Sequence, residues 1–486
     1  MSSPYPPDRQ LVLQRFQQIW GYTEFRYPQD EVIQCLLEHR DALIVMPTGG
    51  GKSICFQLPA LLNQGLTIVV SPLVALMENQ VQELRQRQLP AALLHSELTS
   101  PQKRQTLWAL EHQKLRLLYL SPETLLSPTV WQRLCQPQLQ INALILDEAH
   151  CLVQWGDTFR PAYRRLGTVR PALLQHKPAG TKMAIAAFTA TADPQAQQII
   201  QHVLQLQQPQ TILQSPYRPN LHLAVNIAWT SRGRRQQLLR YLQARPNQAG
   251  LVYVRTRRDG EALADWLTQQ GYATVAYHAG LATNERRAIE TAWLNGTMLF
   301  VVCTSAFGMG VNHSSVRWVV HFHVPLLLSE YVQEIGRAGR DNNPSEALSL
   351  VSEPTGWLDP QDKHRQQFFL KQDHKHRQLA QQIMKQIPGK GEFSVVTRQF
   401  KEADVALSLL HSTGQLEWVD PFHYVIHRSI VPHTKLQSKA TQTMTQYLTT
   451  KQCRWQFMLS AFGFLKAAEA LGVGCGHCDR CLSQNR

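Results

Sequence analysis

The sequence predicts an α/β protein with two tandem parallel-sheet domains and a smaller C-terminal module. Three observations predict it. Short runs of Leu, Ile and Val at 42–46, 66–71, 115–120, 142–146 and 184–189 alternate with longer mixed segments of helical character. That is the pattern of buried parallel strands joined by crossover helices. A second set of such runs begins near 250, and past 355 the alternation stops. A chain of 486 residues is also too long for one compact core.

The first domain takes residues 1–207. Segment 205–220, QLQQPQTILQSPYRPN, is rich in Gln and Pro and reads as a linker. The second domain, 215–350, rests on LVYV (251–254), TVAYH (274–278), LFVVCT (299–304) and VRWVVHF (316–322). The remainder, 355–486, opens on a helical stretch at 366–387. Residues 403–428 read as a helix followed by two strands around Asp420-Pro421, which makes about 390–430 a winged-helix-like segment. The last part, about 440–486, carries four clustered cysteines.

Charge favours a polyanionic partner. Lys and Arg number 49 against 35 Asp and Glu, a formal net charge of +14. Residues 361–486 hold 17 of the basic and 9 of the acidic residues, so the tail carries more than half of the excess. Plain solubility charge is the competing explanation. The N-terminal MSSPYPPDRQ lacks the apolar core of a signal peptide, and no apolar run approaches a membrane span. The expectation is a cytoplasmic protein, in a bacterium associated with the nucleoid, with no membrane partner. Cys35, Cys55, Cys135, Cys151 and Cys303 are scattered and read as ordinary buried thiols.

In LIVMPTGGGKS (43–53) an apolar strand runs straight into Thr48, Gly49, Gly50 and Gly51. Successive glycines let backbone N–H groups close on phosphate oxygens. Lys52 then reaches the β/γ-phosphates, and the Ser53 hydroxyl ligates Mg²⁺. Met46 stands where the strict pattern has glycine. In LILDEAH (144–150) a second strand ends in two carboxylates. Asp147 is placed to hold Mg²⁺, Glu148 to orient or deprotonate water, and His150 to report nucleotide state. A solvated Asp-Glu turn is the bland alternative. Cys453, Cys475, Cys478 and Cys481 form C-x21-C-x2-C-x2-C. Four thiolates satisfy tetrahedral Zn²⁺, and a cytoplasmic setting argues against disulfides. His477 lies inside the knuckle, but the four cysteines already complete the set.

TGGGKS, DEAH and GRAGR (336–340) together resemble a superfamily 2 helicase. FRYPQ (25–29), QWGDTFRP (154–161) and AFGMGVN (306–312) resemble the RecQ family of ATP-dependent DNA helicases in particular, over roughly residues 15–350. The resemblance implies two RecA-like (P-loop) domains with ATP between them. It implies an adenine site at WGYTEFRYPQ, where Gln29 pairs with the base and Tyr22 and Arg26 sandwich it. Tyr27-Pro28 replaces the family's usual Pro-Gly there. In YVQEIGRAGRD (331–341), Gln333 faces the nucleotide, and Arg337 and Arg340, three apart on a helix, neutralise transition-state charge. Trp155, Phe159 and Arg160 belong to an aromatic-rich loop that couples DNA to hydrolysis, with Asp157 where histidine is common. Thr189-Ala190-Thr191 matches the motif linking hydrolysis to strand movement. Ser71, Ser121 and His278 sit in backbone-contacting segments. A zinc site after the helicase core is also a family property, whereas the wing before rather than after the zinc cysteines is a departure. The implied function is 3′-to-5′ translocation on single-stranded DNA and unwinding of forked or branched duplex in repair and recombination. An RNA helicase and an ATP-gated clamp or annealing factor remain the rival readings.

Overall fold

The computed structural model describes residues 8–154, 160–307, 313–427 and 436–484, with the backbone alone at 154, 436–440 and 484. The chain divides into two compact units. One is Met1–Gln214 with His374–Thr434; the other is Ser215–Asp373 with Lys435–Arg486. The boundary at 373/374 falls inside the helix Gln361–Gln386.

The first unit is built on seven strands: β1 (Ala42–Val45), β2 (Leu66–Val70), β3 (Ala91–Leu94), β4 (Leu117–Leu120), β5 (Ile141–Leu146), β6 (Ala184–Thr189) and β7 (Gln210–Leu213). They pair in parallel in the order β3-β4-β2-β5-β6-β1-β7. Every residue of β1 to β6 is buried, so these strands read as continuous apolar runs rather than alternating ones. The two edge strands escaped the sequence pattern. β3 starts on two alanines after Pro90, and β7 falls inside the expected linker because only Ile212 of its four residues is buried.

The second unit has six parallel strands: β8 (Leu221–Ala228), β9 (Gly250–Tyr253), β10 (Ala276–Tyr277), β11 (Phe300–Cys303), β12 (Trp318–His321) and β13 (Ser345–Ser352). Their order is β10-β11-β9-β12-β13-β8. β8 and β13 are its longest strands, in register from Leu221↔Ser345 to Ala228↔Ser352. Neither is a plain apolar run: β8 is half exposed toward its end, and serines interrupt β13.

The C-terminal quarter, expected as one basic module, is shared between the units. Strands β14 (Lys390–Glu392), β15 (Leu416–Trp418) and β16 (His423–Ile426) form an antiparallel sheet with the helices Phe393–Gln399 and Ala403–Ser412, a winged-helix-like arrangement. It packs on the first unit. The Arg165 guanidinium, buried, lies 3.8 Å from the Phe393 ring centroid and donates to Pro421 O at 3.1 Å. Trp131 meets Phe422 edge to face. The part that carries the four clustered cysteines joins the core of the second unit, where Met444, Tyr447, Trp455, Met458 and Phe462 pack with Leu221, Tyr331 and Ile335. Trp455 Nε1 donates to Leu221 O at 3.1 Å, and Val225 N–H donates to Asp479 Oδ2, also at 3.1 Å. Among the described residues no helix is long and apolar enough to cross a membrane.

Candidate active site

β1 ends at Val45 and the helix Lys52–Leu62 begins seven residues later, so the loop between them carries Thr48 and the three glycines. Gly51 caps this helix with φ +78°, and a Cβ there would sit 2.2 Å from Gln29 Nε2. Only glycine fits the turn. Lys52 Nζ is buried and has no hydrogen-bond partner among the described residues. A buried ammonium without a partner is costly unless an anion arrives.

β5 delivers Asp147 and Glu148 at its C-terminal end, both buried. Asp147 Oδ1 accepts from the Glu148 N–H at 3.0 Å, and Oδ2 accepts from Gln80 Nε2 at 3.4 Å. Burial first, and the Glu148 charge second, push Asp147 up to about 6, while Lys52 pulls it down. Two enclosed carboxylates beside a partnerless lysine are a donor set that fits Mg²⁺ with a triphosphate. His150 Nδ1 lies 3.2 Å from Thr189 Oγ1 and 3.2 Å from Glu148 Oε2. The Thr191 N–H donates to Thr189 Oγ1. A chain of close polar contacts thus runs from Glu148 through His150 to the Thr-Ala-Thr segment.

Gln29 is buried and its amide is already engaged: Oε1 accepts from the Arg26 N–H at 3.0 Å, and Nε2 donates to Gly50 O at 3.2 Å. It therefore ties the adenine segment to the phosphate loop. Tyr22 and Arg26 are exposed beside it. Ser71 is buried, and its Oγ has no partner among the described residues. Ser121 Oγ caps its own short helix by accepting from the Thr124 N–H. Arg160 donates to Pro72 O at 2.7 Å and to Glu123 Oε2 at 3.1 Å, which brings the SPL (71–73) and SPE (121–123) segments together. Sequence reasoning did not find that bridge. Trp155, Phe159 and residues 308–312 lie outside the described residues.

In the second unit, Arg337 and Arg340 are not on a helix as expected. The helix Leu328–Ile335 carries Gln333 and stops, and residues 336–341 form a turn. Gly336 and Gly339 account for the break, the latter at φ +61°. Glu334, on that helix, is buried; burial opposes its charge, but Arg255 and His321 hold it down to about 2. His278 spends both ring nitrogens inside the unit, Nε2 3.0 Å from Glu261 Oε1 and Nδ1 accepting from the Gly280 N–H.

The sulfurs of Cys453, Cys475, Cys478 and Cys481 all lie within 4.8 Å of one another. Three pairs stand 3.9, 3.9 and 3.5 Å apart. A tetrahedral zinc–thiolate site has edges of about 3.8 Å, so the cluster fits Zn²⁺. His477 is not in the four-sulfur group. Cys453 caps the helix Arg454–Ala461, and the buried Arg454 donates to Asp479 Oδ2 at 2.8 Å, closing the segment across the cluster.

Residues 26–199 match the DEAD/DEAH box helicase family, 233–342 the helicase conserved C-terminal domain and 422–482 the RecQ zinc-binding family. The chain is 53% identical over 478 residues to the ATP-dependent DNA helicase RecQ of Synechocystis, covering 98% of this chain and 99% of that protein. It is 38% identical over 354 residues to the RecQ of Pasteurella multocida, covering 72% of this chain and 54% of that one. Among solved structures, Mss116p bound to ssRNA and AMP-PNP aligns with TM-score 0.59 at 16% identity over 72% of this chain and 73% of that one. The Mycobacterium smegmatis helicase Lhr bound to ssDNA and AMP-PNP aligns with TM-score 0.56 at 17% identity over 89% of this chain and 61% of that one. These two likenesses speak to the fold alone. The near full-length match to the Synechocystis protein, with the zinc-binding segment included, places the chain in the RecQ family of superfamily 2 helicases.

Proposed function

We propose that this chain is an ATP-dependent DNA helicase that moves 3′-to-5′ along single-stranded DNA and opens forked or branched duplex during repair and recombination. The observation that carries the reading is Lys52 Nζ, buried and partnerless at the foot of a glycine loop, in a chain whose relatives are DNA helicases. Lys52 takes the β/γ-phosphates, and the loop amides around Gly49–Gly51 hold the rest of the chain of phosphates. Ser53 and Asp147 hold Mg²⁺, which when bound supplies the charge that draws the phosphate oxygens together. Glu148 accepts the proton of the attacking water. Arg337 and Arg340 neutralise charge that builds on the transferring phosphoryl group. Tyr22 and Arg26 flank the adenine, and Gln29 exchanges one internal hydrogen bond for the base. Trp155 and Phe159 stack on unpaired bases. Ser71, whose hydroxyl is free to donate, takes a backbone phosphate. Zn²⁺ on the four cysteines is a structural ion. The bacterial cytoplasm and its nucleoid are the setting this reading implies.

A forked duplex with a 3′ tail tests it. Strand separation should need ATP and fail with a non-hydrolysable analogue, and single-stranded DNA should stimulate hydrolysis more than RNA does. Stronger stimulation by RNA would favour the RNA helicase. Strand capture or annealing without hydrolysis would favour the clamp.

A further inference from the structure

We infer that Arg218 and Asn220 are positioning residues for catalysis: they hold the backbone of the turn 336–341 so that Arg337 and Arg340 are presented to the nucleotide. The inference rests on the reading of those two arginines as transition-state groups.

The helix Leu328–Ile335 ends just before this turn, so the carbonyls that follow have no helical partner. Arg218 and Asn220 satisfy them. Arg218 NH1 donates to Ala338 O at 2.7 Å and to Gly336 O at 3.3 Å, and its NH2 donates to Gly339 O. Asn220 Nδ2 donates to Gly339 O and Asn343 O, each at 2.9 Å. The fit leaves no slack: a Cβ on Gly339 would sit 2.5 Å from Ser345 Oγ and 2.6 Å from Asn220 Nδ2. Arg317 closes the far end of the turn with a two-pronged pair to Asp341.

Two features distinguish this from ordinary packing. First, the Arg218 guanidinium is half-buried and spent on neutral carbonyls; burial lowers its pKa, and among the described residues it makes no ion pair. Such an arrangement costs stability, and a surface loop does not need it. Second, Gly336 O is a shared acceptor, taking a donation from Arg340 Nε at 3.4 Å as well as from Arg218. When Arg340 leaves that carbonyl for a phosphate, Arg218 keeps it bonded. The release then costs no orphaned group, and the turn keeps its shape.

The test is steady-state ATPase on the full chain at saturating single-stranded DNA, with melting temperatures. Arg218→Ala should lower kcat by about tenfold or more while KM for ATP stays within about threefold, the signature of a misplaced transition-state group. Arg218→Lys should recover part of kcat, and Asn220→Asp, which keeps the shape but loses both donations, should lower it. Melting should move by only a few degrees. If Arg218→Ala does not fold, the Lys and Asp variants carry the test. Folded variants with kcat within about twofold of the parent overturn the proposal, as does a loss of kcat matched by an equal rise in KM. Arg337→Ala and Arg340→Ala run alongside. If they keep kcat, the reading of the arginines fails; if they lose it while the Arg218 and Asn220 variants do not, only the positioning role fails.

Discussion

The carboxylate pair of the first unit and the cysteine cluster of the second both gather groups that want a cation, but they are held differently. Asp147 has protein donors of its own in Gln80 and the Glu148 amide, and strand β5 fixes its place. That site keeps its form whether or not the ion is present, as turnover requires. The four sulfurs face one another, and the backbone N–H groups that reach them, Cys475 on Cys453 Sγ among them, do not offset four thiolate charges packed within 4.8 Å. A cluster of that kind depends on the metal for its form. One site is built to exchange its cation and the other to keep it.

The largest expected effect tests the second half of that contrast. Cys478→Ser should release the zinc and unfold residues 436–484, since structural zinc contributes on the order of 10 kcal/mol in small modules. Metal analysis and hydrogen exchange check it. A variant that keeps a full zinc equivalent breaks the ligand set, and one that loses zinc but stays folded breaks the contrast.

Next in size is Glu148→Gln, which should cut DNA-stimulated hydrolysis by about 10²–10⁴-fold, the range for a general base. ATP binding should survive and melting should barely move. Near-parental turnover would remove Glu148 from the mechanism.

A third test asks how the tail is attached. Arg165→Ala removes a hydrogen bond and a cation–π contact and should cost about 1–3 kcal/mol. Hydrogen exchange should rise over 390–426 and stay unchanged over 436–484. A rise in both would mean that the two parts of the tail are one body. At the hairpin tip, Pro421 and Phe422 are engaged by Arg165 and Trp131, while Val419 stands exposed.

The smallest effect sharpens the first half of the contrast. Asp147, an acid whose folded pKa is raised above its unfolded value to about 6, favours folding below about pH 4, and that contribution is lost as pH rises through 6. Asp147→Asn should therefore raise the ligand-free melting temperature by a few degrees at pH 7–8 while abolishing hydrolysis. Mg²⁺–ATP should stabilise the parent more at pH 7.5 than at pH 5. A flat pH dependence would show that the carboxylate is not strained without its cation.

Much of this was legible in the sequence because the signal is local. A phosphate loop, a strand-tip carboxylate pair and C-x2-C-x2-C each need their residues within a few positions, and each lies where its spacing implies. The interior strands read clearly because both faces are covered. What stayed hidden is non-local or weakly apolar. Arg218 meets carbonyls 118–121 residues away, and Arg165 meets Pro421 across 256. No spacing rule reaches that far. β7 offers one buried side chain in a Gln-rich stretch. The turn at 336–341 is hard to read from sequence because arginines three apart suit a helix as well as a turn, and it is the two glycines that end the helix.

The division of the tail between two units has a consequence for synthesis. Neither unit is a continuous stretch of chain, and the core of the second is not complete when its sheet has been made. The second waits for Trp455, which reaches back 234 residues to Leu221, and for Cys481, far downstream of the last strand of its sheet. Contacts this distant in sequence slow folding and leave apolar surface uncovered in the meantime. A nascent chain of about 350 residues would hold both sheets with the second core still open. Its dependence on chaperones should peak just before the last cysteines emerge.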